Sequence, residues 1–441
     1  MRIRGRAASL NIAQSILRNT QSSLLLRLLG VLASSIRYTT AVMPHSLALA
    51  VELITTVLAV AGMGYFLAAL VAARIFIASR RKPLATFAPG VSILKSLKGL
   101  DPEMLAAFRS HCKQTYSGEF EMLFGFSSAD DPAVTAVKQL QREFPERLIR
   151  LIECPLRLGT NGKVSTLAQL VPQARYDFLL VNDSDITVGP RYLELVMAKF
   201  ATDGLRDGKE ASGKPSPVGL VTALYRGRSH GTLPSRFESL GIAVDFMPSV
   251  LLSRMIEGGL NYGLGSTLAV RREALDKIGG FSALVDHLAD DYELGARIAK
   301  TGYRVALSAD VVETSVPAYD WRGFVEHQLR WFRTVRDARP WGYAGLVFTH
   351  GLAWAALNLV ASGLSPVSLW LLVLSFFLRL TLAMTVGAEV LADHQVLPNL
   401  WLLPLRDAVA MGLWAAGFAG NTIVWRGERF TVSGGLLRKA N

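Results

Sequence analysis

Residues 179–188 read LLVNDSDITV, an apolar run that ends on two aspartates, Asp183 and Asp185, set one residue apart. Strands disfavour Asp, and an unpaired buried carboxylate is costly. A hard cation offsets that cost, and so does an Asx-turn or a helix cap. Strand-like stretches surround the motif: GVSILKSL (90–97), FEMLFGFSS (120–128), RLIRLIEC (147–154) and YDFLLVND (176–183). Helical patterns alternate with them, including DPEMLAAFRSHCKQ (101–114) and DDPAVTAVKQLQREF (130–144), the second opening on an Asp cap with proline in the first turn. This alternation predicts an α/β domain with a mostly parallel sheet. In such sheets ligands lie at the carboxyl ends of strands, where VNDSD falls.

The 441-residue chain is 51% hydrophobic yet 19% charged, with a net charge of +12. That mixture predicts a membrane protein carrying a sizeable water-soluble domain. No basic run interleaved with aromatics occurs outside juxtamembrane positions, so the positive charge points to anionic lipid and away from nucleic acid. The two cysteines, Cys112 and Cys154, lack metal-ligand spacing and read as ordinary thiols.

Residues 1–42 hold six arginines and no acidic residue. A targeting peptide, a basic amphipathic tail, or a start codon upstream of the working one at Met43 would each look so, and the last reading is preferred. The tail is taken to end at residue 45. Residues 46–78 are expected to form a transmembrane anchor, and Arg80, Arg81 and Lys82 beyond it place the next domain, 83–322, in the cytoplasm. An Arg-rich amphipathic helix over 323–340 is expected to lie in the membrane interface. Three apolar stretches within 342–424 (342–363, 366–387 and 398–424) read as further spans, and 425–441 as a basic tail. The last stretch contains Arg406 and Asp407, which mark either an interfacial start or a charge pair facing a cavity. Three full spans would also put the basic C-terminal end on the opposite face from the domain.

Chemistry-bearing residues gather in four places. Asp183 and Asp185 are candidate ligands for Mg²⁺ or Mn²⁺ on a diphosphate. In HLADDYELGARIAKTGYRV (287–305), Asp290 and Asp291 start a helix, where they can cap it or supply a general base. In WRGFVEHQLRWFRTVRDARPWGY (321–343), Arg330 and Trp331 are candidates to hold a diphosphate and an acceptor. RLGTNGKVSTLAQL (157–170) offers Asn161 and Lys163 before a helix, for phosphate or base contact, and Gly263 and Gly265 fit either a plain turn or a close approach of a ligand to the backbone.

The ordered set SLKGLDPEM, ADDPAV, VNDSDI, LADDYELGARIA and RW resembles the ceramide glucosyltransferase family over residues 46–432. VTALYRGRSHGTLPSR (221–236), DFMPSVLLSRM (245–255) and RPWGYAGLVFTHG (339–351) are most similar to a bacterial branch associated with hopanoid biosynthesis. The resemblance implies a GT-A-type nucleotide-sugar domain with one N-terminal and about three C-terminal transmembrane helices. It implies inverting transfer of one sugar from UDP-glucose or UDP-N-acetylglucosamine to a lipid hydroxyl, of a hopanoid polyol or ceramide, at the cytoplasmic face of the bacterial inner membrane. It assigns the metal to Asp183 and Asp185, the base to Asp291, and closure over the diphosphate and acceptor to Arg330, Trp331 and His327. Two positions depart from its pattern. Ser128 stands where an aspartate is expected in the nucleotide loop, with Asp130 and Asp131 beside it, and His327 stands where Gln or Arg is usual. A processive polysaccharide synthase and a non-catalytic lipid-binding scaffold are the alternatives.

Overall fold

The computed structural model describes residues 45–81, 85–101, 103–202, 216–425 and 428–439. The basic stretch 1–42 lies outside them. The chain divides into two compact units, 45–64 with 350–378 and 65–349 with 379–439, taken separately below.

The larger unit is built on an eight-stranded sheet of order β3-β2-β1-β4-β7-β6-β8-β5. Its strands are β1 (Val91–Ser96), β2 (Phe120–Phe126), β3 (Leu148–Glu153), β4 (Phe178–Val181), β5 (Ile186–Thr187), β6 (Val218–Ser229), β7 (Leu268–Arg271) and β8 (Arg304–Val316). Strands β1 to β4 pair in parallel, as do β6 and β8, while β7 and β5 run antiparallel to their neighbours. The mostly parallel sheet read from the sequence is present. Its central strands are apolar on both faces because helices cover both, so VSILKS is buried almost end to end.

Those helices include α1 (Met104–Cys112), α2 (Pro132–Glu143) and α3 (Gly162–Leu170). Phe108 of α1 meets Phe124 of β2 edge to face at 4.8 Å, and both are buried. Helix α3 crosses β2 at Gly125, where a Cβ would come within 2.4 Å of the Thr166 methyl. Only glycine allows that approach, which fixes the height of α3 over the strand ends.

Between β6 and β7 runs α4 (Leu233–Gly241), then one π-turn (Ile242–Phe246), then Met247–Ile256. These 24 residues are long and apolar enough to cross a membrane. They lie within 83–322, the stretch expected to form the water-soluble domain. Their apolar character serves packing: buried Phe237 meets Trp321 and Phe324 at 5.6 and 6.3 Å. Beyond β7 lie α5 (Asp290–Lys300) and α6 (Trp321–Ala338), the latter capped by Asp320.

Ser46–Arg80 and Pro366–Val390 are also long and apolar enough to cross a membrane, in line with the expected anchor and the second C-terminal stretch. The first stretch is two helical pieces, Pro340–Thr349 and Gly351–Ala361, broken at His350. The third differs from expectation. Within 398–424 the main helix, α7 (Leu403–Gly417), has only 15 residues, and its charged pair is buried. Arg379, 2% exposed, donates to both Asp407 oxygens at 2.8 and 2.6 Å and pairs with Asp245. Arg406 donates to the Phe237 carbonyl at 3.0 Å and sits 3.0 Å from Asp245. Its guanidinium lies against Gly241, where any Cβ would collide with it.

The expected basic tail is instead a small antiparallel sheet, β9 (Thr422–Trp425), β10 (Glu428–Ser433) and β11 (Leu436–Lys439). In the smaller unit, buried Asn358 donates to the Glu52 carbonyl and to the Thr55 and Thr56 hydroxyls at 2.8–3.1 Å. Such polar bonds join helices where apolar surfaces alone give little preference.

Candidate active site

The end of β4 is held from two sides. Asn182, 2% exposed, donates to the Tyr192 hydroxyl at 2.8 Å and to the Ser266 carbonyl at 2.7 Å. The chain then turns, so that Asp183 and Asp185 leave the strand with their carboxylates outside the apolar core. Asp183 meets Lys163 at 2.8 Å, and the same ammonium lies 3.3 Å from Asp290. Asp185 accepts from the Thr314 hydroxyl at 2.5 Å and from the Ser315 N–H at 3.1 Å, both on β8. Ser184, between them, bonds Asp101 of the SLKGLDPEM loop.

Asp291 enters from the start of α5. One oxygen accepts from the Tyr292 N–H and the other from the Gly265 N–H, both at 2.8 Å. A Cβ on Gly265 would stand 3.2 Å from Asp291 Oδ2 and 3.5 Å from Asp183 Oδ2. The motif aspartate and the distant acidic pair therefore converge on the backbone of one glycine. Two carboxylates thus flank Gly265.

The charges respond to this crowding. Burial raises the Asp291 pKa to about 6, and Asp290 adds to it against the pull of Lys163. Burial works against the charge on Lys163, yet Asp183, Asp290 and Asp291 outweigh it and keep the ammonium protonated well above its ordinary range. Burial followed by Asp183 raises Asp185. Lys95, fully buried on β1, donates to the Asp183 carbonyl at 3.1 Å, and its burial lowers its pKa to about 7.

The other sequence candidates fall into two groups. Asn161 is fully buried as the cap of α3, accepting from the Val164 N–H and donating to the His287 carbonyl at 2.8 Å. It braces the acidic loop and has no face toward solvent. Asp131 caps α2 and accepts from the Gly99 N–H at 3.0 and 3.1 Å, while Ser128 and Asp130 stand exposed beside it. These three do not join the carboxylate cluster.

His327 and Trp331 do form a wall. Their rings lie 5.1 Å apart, Tyr319 stacks on His327 at 5.4 Å, and Phe246 bridges from Trp331 to Tyr225 at 6.2 and 5.9 Å. Burial raises the Tyr225 and Tyr319 pKa values. Among charges, Asp291 contributes most to the first, and Glu238 and Arg330 act on the second. Glu238, 4% exposed, takes His327 Nδ1 at 3.0 Å and Gln328 Nε2 at 3.3 Å. Sequence reasoning passed over Glu238, Lys95 and Asp101. The available signal was a charged residue inside an apolar run for Lys95 and a motif aspartate for Asp101, while Glu238 carried no local signal.

Comparison with known proteins decides the class. The model of glycosyl transferase family 21 matches residues 54–437. The chain belongs to that family. The transferase is 25% identical to ceramide glucosyltransferase 3 of Caenorhabditis elegans over 378 residues, 79% of this chain and 73% of that one. Over 116 residues it is 33% identical to the ceramide glucosyltransferase of Komagataella phaffii, 25% of this chain and 23% of that one. Among solved structures, a mannosyltransferase from Pyrobaculum calidifontis in complex with GDP-Man and Mn²⁺ aligns with a TM-score of 0.48 and 18% identity, over 83% of this chain and 97% of that one. The resemblance read from the motifs is thus a family membership. The transferase has the α/β domain with a mostly parallel sheet expected of it, and its carboxylate cluster stands at the strand ends of that sheet.

Among the described residues, no three His, Cys, Asp or Glu side chains converge as a ready metal site. The donor chemistry still fits a hard divalent ion. Asp185 is oriented through one oxygen by Thr314 and Ser315, Asp183 lies two residues away, and a diphosphate supplies oxygens of its own.

Proposed function

We propose that this family 21 transferase moves a single sugar from a UDP-sugar, UDP-glucose or UDP-N-acetylglucosamine, to the hydroxyl of a membrane lipid, with inversion at the anomeric carbon. The observation that carries the reading is the meeting of Asp183 and Asp291 at Gly265. It sets a donor-side carboxylate beside a buried carboxylate whose pKa suits a base. Asp291 accepts the proton of the acceptor hydroxyl as its oxygen attacks the anomeric carbon, and the bond from that carbon to the diphosphate breaks with UDP leaving. Lys163 keeps a positive charge beside the donor site, and Arg330 adds another from the aromatic wall. When bound by Asp183 and Asp185, Mg²⁺ or Mn²⁺ supplies charge neutralisation on the diphosphate. Trp331, Tyr319 and His327 give the acceptor an apolar wall that excludes water.

The relatives named above are ceramide glucosyltransferases, which supports a lipid acceptor. The motifs in 221–255 and 339–351 favour a hopanoid polyol over ceramide, and with it the cytoplasmic face of a bacterial inner membrane. The purified full chain, incubated with each UDP-sugar and each lipid class with and without Mn²⁺, should yield a monoglycosylated lipid; polymer, or no transfer from either donor, rejects the reading. Asp291→Asn should bind UDP as the parent does and lose transfer by roughly 10²–10⁴-fold. Full turnover by that variant removes the base assignment.

A further inference from the structure

The C-terminal sheet touches both halves of the reaction machinery. Leu437 N–H donates to the Asp286 carbonyl at 2.8 Å, and Leu288 N–H donates to the Gly435 carbonyl at 3.3 Å. Leu288, two residues before Asp290, is buried in a cluster with Ile423, Phe430, Val432 and Leu437. The loop it belongs to is also tied to the donor side. Thr160 donates through its N–H and hydroxyl to Asp286 at 2.8 and 2.9 Å, Asn161 N–H donates to the Val285 carbonyl at 2.7 Å, and the Asn161 amide holds His287.

The β10–β11 turn, the start of β9 and the segment leading into it are fastened to α6, which carries Arg330 and Trp331. The Asp337 carboxylate accepts the Gly434 N–H at 3.2 Å and the Gly435 N–H. Arg333 donates to the Thr422 and Ala419 carbonyls, and Arg336 to the Gly417 and Gly420 carbonyls, at 2.5–3.0 Å. Both glycines of the β10–β11 turn have positive φ, 60° and 79°, so their amides can point together at one carboxylate.

We infer that the C-terminal sheet is a clamp that sets the acidic pair at the start of α5 against the Arg-Trp face of α6, with Asp337 and the Gly434–Gly435 turn as its catch. The clamp rests on the transferase reading given above and adds positioning residues that touch neither donor nor acceptor. General-base catalysis depends on placement, so a loop shift of about 1 Å costs roughly 10²-fold in rate while leaving donor affinity nearly intact.

The test uses the full chain with Asp337→Ala, Asp337→Asn and Leu437→Pro, which removes the amide that bonds Asp286. Three quantities are measured: amide hydrogen exchange at 285–289 and 434–438, UDP affinity, and kcat. In Asp337→Ala and Leu437→Pro, exchange should quicken in both segments together and kcat should fall roughly 10²-fold, with UDP affinity within about twofold. Asp337→Asn, which keeps one acceptor oxygen, should recover part of kcat. Loosened exchange at 434–438 with unchanged kcat, or unchanged exchange in Asp337→Ala, overturns the clamp. Exchange needs no substrate. A parent protein inactive with every donor would therefore count against the transferase chemistry, while coupled exchange would still decide the clamp.

Discussion

Asp291 carries a pH dependence that follows from its surroundings. A base works only when unprotonated, and an ordinary aspartate, with a pKa near about 3.9, would stay so through the mildly acid range. Here burial and Asp290 lift the pKa to about 6, so the protonated fraction grows as pH falls through that value. The single-turnover transfer rate should be level at neutral pH and decline below about pH 6, approaching tenfold per unit; a flat rate from pH 7 to 5 would exclude Asp291 as the base. At this scale the sequence was legible where chemistry is local. The D-x-D at a strand end and the paired acid at a helix start are short patterns with few explanations each. Glu238 was opaque because its meaning lies in His327, 89 residues away, and nothing local distinguishes it from an ordinary helical glutamate. Asn161 was over-read: a cap and a phosphate contact use the same amide, and its burial leaves it the cap.

Among elements, α7 shows how hydropathy misleads when charge is paired internally. Its Arg406 and Asp407 read as an interfacial start or a charge pair facing a cavity, but Arg379 and Asp245 complete a four-residue ion network with them. Removing one partner leaves the others buried without compensation. Arg379→Ala should therefore destabilise the protein by about 3–5 kcal/mol, read as a lowered thermal midpoint in detergent. The double replacement Arg379→Met with Asp407→Leu should recover much of the loss, since matched apolar groups need no partners; equal destabilisation by single and double would show that the pair is not the source. The C-terminal sheet had a local signal that the charge count hid. In RFTVSGGLLRK, Phe430 and Val432 alternate with polar residues and a two-residue Gly-Gly turn follows, the pattern of a hairpin. Reading arginines and lysines as a tail outweighed it.

For the whole molecule, the docking of β11 on Asp286–Leu288 constrains topology. Ala338 precedes the C-terminal apolar segments and Thr422 follows them, and both belong to the body of the catalytic domain. The chain between them must cross a bilayer an even number of times. Pro366–Val390 and, counted as one bent span, the pieces within 340–361 are long and apolar enough for two crossings, whereas α7 has only 15 residues. Leu233–Ile256 makes no single crossing either, because β6 and β7 on its two sides are neighbours in one sheet. Ser433→Cys and Ser128→Cys should both react with an impermeant maleimide from the same side of sealed vesicles, and labelling from opposite sides would break this arrangement. The same docking also orders events in time. Leu288 is synthesised about 150 residues before its partner Leu437, and the apolar segments emerge between them. During synthesis the eight-stranded sheet can close early, but the acidic loop waits for its clamp until the last strand and the intervening apolar helices have been made. The clamp is thus the last part of this unit to be completed.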